Sequence, residues 1–237
     1  MKIIPAIDLI DGKCVRLTQG DFNQKKQYNE NPLEVAKAFE DAGIEHLHLV
    51  DLDGARHKKI VNHKVLETIA AKTRLKVDFG GGIQSDEDIK LAFECGAAQI
   101  TGGSIAVKNP DLFESWLVSY GSEKIILGAD TKDGFIAVSG WQETSQLSVM
   151  DLLKKYTEKG VSYSICTDVA KDGLLMGPSF DLYSEIMNHF PDLKLIASGG
   201  VATLDDLKQL RDAGMYGAIV GKAFYEGRIT LEELSRF

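Results

Sequence analysis

The chain opens Ile3-Ile4-Pro5-Ala6-Ile7-Asp8-Leu9, then Asp11-Gly12-Lys13 and a second apolar run. Half a chain later it reads Ile125-Ile126-Leu127-Gly128-Ala129-Asp130-Thr131, then Asp133-Gly134 and another apolar run. The echo continues. Phe79-Gly80-Gly81-Gly82-Ile83 returns as Ala197-Ser198-Gly199-Gly200-Val201, and Thr101-Gly102-Gly103-Ser104 returns as Val220-Gly221-Lys222. The offset is 118 positions from Gly82 to Gly200, 118 from Gly103 to Gly221, and 122 from Asp8 to Asp130. The difference fits a short loop insertion after the first element. Such regularity marks a half-chain duplication, with repeats over about 1–121 and 122–237.

Short β-rich runs alternate with helical patterns throughout. The spacing predicts strands at 2–8, 45–51, 75–79, 98–101, 124–130, 162–167, 193–197 and 216–220. Helices follow at 32–42, 62–73, 86–95, 110–120, 149–159, 180–190, 204–213 and 230–236. Cap residues open many of them: Asn31 before Pro32, Ser85, Asn109 before Pro110, Ser148, Thr203 and Thr230. Gly43, Gly96, Gly121, Gly160 and Gly214 close five. Eight strand–helix units in 237 residues is the count and size of one (β/α)8 TIM barrel over 1–237. A doubly wound open sheet normally carries fewer strands, and an internal duplication closes less naturally there.

Apolar content of 44% and charged content of 26% are those of an ordinary soluble globular protein. The net charge of −8 argues against general nucleic-acid binding, which needs basic patches, but leaves room for a small anion held by local loops. Cys14, Cys95 and Cys166 are scattered and odd in number, as expected of reduced thiols in a cytoplasmic protein. The start Met1-Lys2-Ile3-Ile4-Pro5 is too short an apolar run for a signal peptide, and no stretch approaches membrane-spanning length. His46, His48, His57, His63 and His189 lack metal-ligand spacing with the cysteines, so no metal is expected.

A two-fold axis relating the halves places strand 1 across the barrel from strand 5. Asp8 and Asp130 then face each other over the carboxyl-terminal mouth, where barrel enzymes keep their active sites. Two such carboxyls can divide general acid and general base work if their environments push their pKa values apart. Glycines let backbone N–H groups approach a phosphate closely. Gly81, Gly82, Gly103 and Ser104 end strands 3 and 4; Gly199, Gly200, Gly221 and Lys222 end strands 7 and 8. Two matched clusters at opposite sides of one mouth imply a substrate with a phosphate at each end. Other residues carry two readings. Arg16 either reaches an anionic or carboxamide group or is a solvated loop charge. Trp141 either stacks on a flat heterocycle or packs beneath its own loop. His48, alone in strand 2, is the type of histidine that is more often structural. Thr167, Asp168 and Asp172-Gly173 end strand 6, where a hydroxyl can polarise a substrate oxygen or cap a turn.

Ile4-Pro5-Ala6-Ile7-Asp8-Leu9, Val15-Arg16-Leu17-Thr18-Gln19-Gly20-Asp21, Leu49-Val50-Asp51-Leu52-Asp53-Gly54-Ala55, Gly80-Gly81-Gly82-Ile83, Thr167-Asp168 through Lys171-Asp172-Gly173, and Ala197-Ser198-Gly199-Gly200-Val201 resemble the ProFAR isomerase family of histidine biosynthesis. The resemblance covers essentially the whole chain. It implies an Amadori rearrangement of an aminoaldose ribotide, phosphorylated at both ends, to the aminoketose. It further implies Asp8 as base at C2, Asp130 as acid at the ring oxygen, and Thr167 assisting. Arg16 and Trp141 would organise the substrate loops, with His48 and Asp172 contacting substrate and Gly173 joining the phosphate site. No cofactor is expected, and the protein is expected to act as a cytoplasmic monomer. Two positions depart from the family pattern: Gln84 stands where Arg is frequent, and Leu174 where Thr is frequent. Three other readings stay open at this stage: a bifunctional isomerase that also takes phosphoribosylanthranilate, the cyclase subunit of imidazole glycerol phosphate synthase, and a non-catalytic phosphate-binding barrel.

Overall fold

The computed structural model describes residues 1–237. Eight parallel strands run in chain order: β1 (Lys2–Ile10), β2 (His46–Asp51), β3 (Lys76–Gly80), β4 (Gln99–Gly102), β5 (Ile125–Gly128), β6 (Tyr163–Thr167), β7 (Lys194–Ser198) and β8 (Gly217–Val220). Each pairs with the next, and β8 pairs back onto β1 with Lys2 opposite Gly217 and Pro5 opposite Val220. That last ladder closes the sheet, so the fold is the (β/α)8 barrel that the alternation predicts, with helices between the strands.

Local chemistry sets the helix ends. All six predicted cap side chains accept a hydrogen bond from a first-turn backbone N–H. Thr203 and Thr230 form reciprocal capping boxes with Asp206 and Glu233. The five predicted terminal glycines all adopt positive φ.

Strand alternation sorts the side chains into two cores. Outward residues such as Ile7, Leu9, Leu47, Leu49, Val77 and Phe79 join a 51-residue cluster beneath the helices. Inward residues Ile4, Ala6, Ile126, Tyr163, Ile165, Ile196 and Ile219 fill the barrel itself. The interior is apolar around β5 to β8 and polar at β2 to β4, where His48, Asp78 and Thr101 meet.

Two hairpins stand where the sequence shows only an apolar run after each aspartate. Lys13–Thr18 and Asp21–Asn29 extend β1 as an antiparallel ribbon, with Asp8 opposite Val15. Thr131–Lys132, Phe135–Val138 and Glu143–Ser148 form a separate three-stranded sheet after β5. The signal was present. Asp11-Gly12 and Asp133-Gly134 both adopt left-handed backbone (φ 52° and 71°; 53° and 84°), as tight hairpin turns require. The fifth strand is also shorter than the predicted 124–130: it ends at Gly128, and Asp130 stands two residues beyond it.

Backbone geometry repeats along with sequence. Gly81 and Gly82 have φ of 95° and 84°; Gly199 and Gly200 have 90° and 82°. Gly103 and Gly221, each opening a short helix, lie at φ −101°, ψ −80° and φ −112°, ψ −100°.

Candidate active site

Asp8, carried by β1, and Asp130, just past the end of β5, sit on strands four apart in a closed ring of eight and line one cavity at its carboxyl-terminal mouth. Arg16, His48, Trp141, Thr167 and Asp172 line the same cavity, as do Gly81, Gly82, Gly103 and Ser104. Gly173, Gly199, Gly200, Gly221 and Lys222 line a smaller adjoining cavity that shares Arg16 and Asp172 with the first. These residues therefore fall at one mouth, with one glycine cluster on each side, whereas Asp168 borders a separate cavity with Thr131 and Ser179.

The two aspartates have different surroundings. The Asp8 carboxylate lies 2.9 Å from the Arg16 guanidinium; Arg16 is buried and Asp8 is partly exposed to the mouth. Burial raises the Asp8 pKa, while Arg16 and, less strongly, His48 pull it back. Asp130 meets no such cation at contact distance. The Trp141 indole N–H donates to it at 2.8 Å. Burial raises its pKa too, opposed by hydrogen bonds from Trp141 and Thr167 and by the more distant charge of His48. Asp172 is pushed up to about 6 by burial, an effect that Arg16 moderates and that Asp8 and Asp130 reinforce.

Arg16 is the hub of this arrangement. It is buried, its Nε has no protein partner, and its guanidinium packs over Gly221. A Cβ at Gly221 would lie 2.2 Å from Nη2, so glycine leaves the guanidinium its place. The solvated-charge reading of Arg16 is thus replaced by a buried one. His48, in turn, is not a lone core histidine: its Nδ1 lies 2.6 Å from Asp78.

Loops from three strands meet above the mouth. Gly20 of the first hairpin packs on the Trp141 ring, where a Cβ would come within 2.6 Å. Gln19 donates through its backbone N–H to Asp172 O at 3.3 Å and through its side chain to Ala170 O at 2.9 Å. Lys222 donates to Gly173 O at 2.7 Å, tying the loop after β6 to the second glycine site. On the first side, Ser104 accepts from the Ser139 N–H at 2.9 Å. Gly81 backs onto β2 so closely that a Cβ would lie 2.2 Å from Asp51 O.

Several lining residues escaped the sequence reading. Arg56, Thr101, Ser139 and Gln142 all reach the mouth. Thr101 and Asp78 were legible from alternation: Val77 and Phe79 point outward, which sends Asp78 inward. Arg56 and Gln142 sit in loops, where no period assigns direction. No group of three or more His, Cys, Asp or Glu side chains is placed to hold a metal ion. No helix is long and apolar enough to cross a membrane.

A closed (β/α)8 barrel thus presents two glycine clusters and two partly buried carboxyls at one mouth, the end at which barrels of this class carry their sites. Residues 2–230 match the family model described as histidine biosynthesis protein, and the chain belongs to that family. It is 68% identical over 237 residues to a protein of Cytophaga hutchinsonii, covering 100% of this chain and 99% of the relative. It is 62% identical, with the same coverage, to one of Flavobacterium johnsoniae, and 56% identical to one of Parabacteroides distasonis. All three are named 1-(5-phosphoribosyl)-5-((5-phosphoribosylamino)methylideneamino)imidazole-4-carboxamide isomerase.

Proposed function

We propose that this chain is the ProFAR isomerase of histidine biosynthesis, converting the aminoaldose ribotide to the aminoketose by proton transfers between two aspartates. One observation carries the reading: a glycine cradle stands on each side of a mouth that also holds Asp8 and Asp130. The spacing suits a ligand with a phosphate at each end and its reacting carbons between the carboxyls.

The division of labour follows from the environments. Asp8 has a guanidinium at 2.9 Å, which favours its carboxylate and suits it to take the C2 proton. Asp130 is buried against the neutral Trp141 indole, which suits it to hold a proton and deliver it to the ring oxygen as the sugar opens. Ring opening yields an imine at C1. Loss of the C2 proton to Asp8 moves the double bond to C1–C2, giving an enaminol; this takes a proton at C1 and gives up its 2-hydroxyl proton, leaving the ketone at C2. The protons balance, so the chemistry calls on no cofactor. Thr167 steadies the Asp130 side, while Arg16 and Trp141 tie the loops to the carboxyls they contact. The matched glycine angles support a duplicated half-barrel as the origin of the paired sites, within a single barrel domain over 1–237.

The test is turnover by purified protein of the aminoaldose ribotide in the presence of a chelator and without ammonia. Aminoketose is the expected product. No product despite tight binding of a bisphosphate product analogue would instead favour a non-catalytic binding barrel. Conversion of phosphoribosylanthranilate at a comparable rate would extend the assignment to a bifunctional isomerase.

A further inference from the structure

Three polar side chains touch inside the barrel, below the mouth. His48 Nδ1 lies 2.6 Å from Asp78 Oδ2, and the Thr101 hydroxyl donates to Asp78 Oδ1 at 2.7 Å. His48 and Asp78 are directly opposite in the β2–β3 ladder. His48 and Thr101 line the mouth cavity; Asp78 does not, and instead borders a small cavity toward the opposite end of the barrel.

The second half-barrel supplies an internal control. Offsets of 117 or 118 positions map His48, Asp78 and Thr101 onto Ile165, Ile196 and Ile219. Ile165 stands opposite Ile196 in the β6–β7 ladder, as His48 stands opposite Asp78. Three packed isoleucines therefore fill the same layer on the other side. Barrel closure does not need polar groups there. Burying an ionisable pair carries a desolvation cost that a well-packed apolar set avoids. A buried polar cluster in one half, where the fold uses apolar residues in the other, points to function.

We infer that Asp78 is a positioning residue for the proposed isomerisation. With Thr101 it fixes the His48 ring, takes Nδ1–H, and turns Nε2 of an imidazolium toward the mouth between Asp8 and Asp130. The inference rests on the isomerase reading for its catalytic meaning. The groups facing His48 are Asp78 from β3, Asp8 from β1 and Asp130 beyond β5; Arg16, which lines the same cavity, is engaged by Asp8. Burial acts to lower the His48 pKa, yet the carboxylates, Asp78 foremost, leave it raised above 6.5. The positive charge so held offsets that of the carboxylates while a proton leaves C2. Asp78 acts only through His48.

The primary experiment is NMR titration of the His48 ring in the ligand-free protein, wild type against Asp78→Asn. We expect a wild-type pKa above the ordinary 6.5, lowered by about one unit or more in the variant. An unshifted titration overturns the inference. Because it is read without substrate, this measurement stands apart from turnover: a shifted titration in a protein inactive on the ribotide would sink the isomerase reading alone. In an active enzyme, Asp78→Asn lowers kcat by about 10- to 100-fold with little change in KM. Its alkaline limb moves to lower pH, because the imidazolium is lost earlier as pH rises. Asp78→Glu restores part of kcat, and Asp78→Asn has no further effect in a His48→Gln background. A loss of kcat with an unmoved pH profile would mean a merely structural role. The combined His48→Ile, Asp78→Ile, Thr101→Ile variant copies the second half-barrel. It should fold with unreduced Tm and lack turnover; failure to fold would contradict the claim that the fold does not need the trio.

Discussion

Arg16 shows how much of this site hangs on one side chain. It contacts Asp8, packs over Gly221 and moderates Asp172. A Cβ at Gly221 would overlap the guanidinium, so a larger residue there must displace Arg16. Gly221→Ala should push the guanidinium off Asp8 and lower kcat/KM by about 100-fold, with circular dichroism unchanged. Steady-state kinetics on the ribotide checks this. Asp172 gives a stability prediction. The folded protein keeps its proton up to about pH 6, whereas the ordinary value is 3.8. Between those values the folded state binds more protons than the unfolded state, so stability falls as pH rises through that window and stays lower above it. Asp172→Asn removes that penalty. It should raise stability at pH 8 by on the order of 1 kcal/mol, about 2–4 °C in Tm, and give no gain at pH 4. Thermal melts at the two pH values decide it. At this scale, Asp8 and Asp130 were legible because each recurs in a matched run. Arg16 was visible as a residue but not as a buried one, since burial here depends on the glycine of a strand distant in sequence. Asp78 was readable only once its strand's inward face was known.

Among the elements, the loop after β2 is held from within. Asp51 is fully buried and accepts from Gly54 N at 2.8 Å, Val61 N and Asn62 N at 2.7 Å each, and Asn62 Nδ2 at 2.6 Å. Its backbone also supports Gly81 of the first glycine cradle. Asp51→Ala leaves several buried donors unmet and should cost about 3 kcal/mol in urea unfolding. It should also weaken binding of a bisphosphate more than Thr230→Ala does, which removes the cap of the last helix, Leu231–Ser235, for about 1 kcal/mol. Equal effects of the two on binding would break the link between Asp51 and the cradle. Strand and helix positions were largely legible, because capping residues and terminal glycines are local signals. The two hairpins were not. Their outer strands, Asp21–Asn29 and Glu143–Ser148, are exposed or half-buried and carry weak alternation, Gln24-Lys25-Lys26 being an example, so the Asp-Gly turns were the clearer signal. Those same hairpins bring Arg16 and Trp141 to the carboxyls, a contact that no local pattern reveals.

For the whole molecule, the two half-chains show both likeness and difference. The halves share glycine angles, cap geometry and a hairpin after the aspartate-bearing strand. They differ in that one half lines the barrel with His48, Asp78 and Thr101 and the other with isoleucine. The likeness suits a substrate with similar ends; the difference suits a reaction whose two proton transfers are unlike. Repetition at a fixed offset made the barrel legible from sequence, since a closed ring of eight places matched positions of the two half-chains across one mouth. The asymmetry was less legible, because it resides in which side chains meet across ladders. The central claim is that Asp8 and Asp130 are the acid–base pair. It is tested most directly by single-turnover conversion of the aminoaldose ribotide by Asp8→Asn and Asp130→Asn, with product-analogue affinity measured on the same samples. Each variant should lose turnover while retaining bisphosphate binding. Wild-type turnover in either would contradict the assignment.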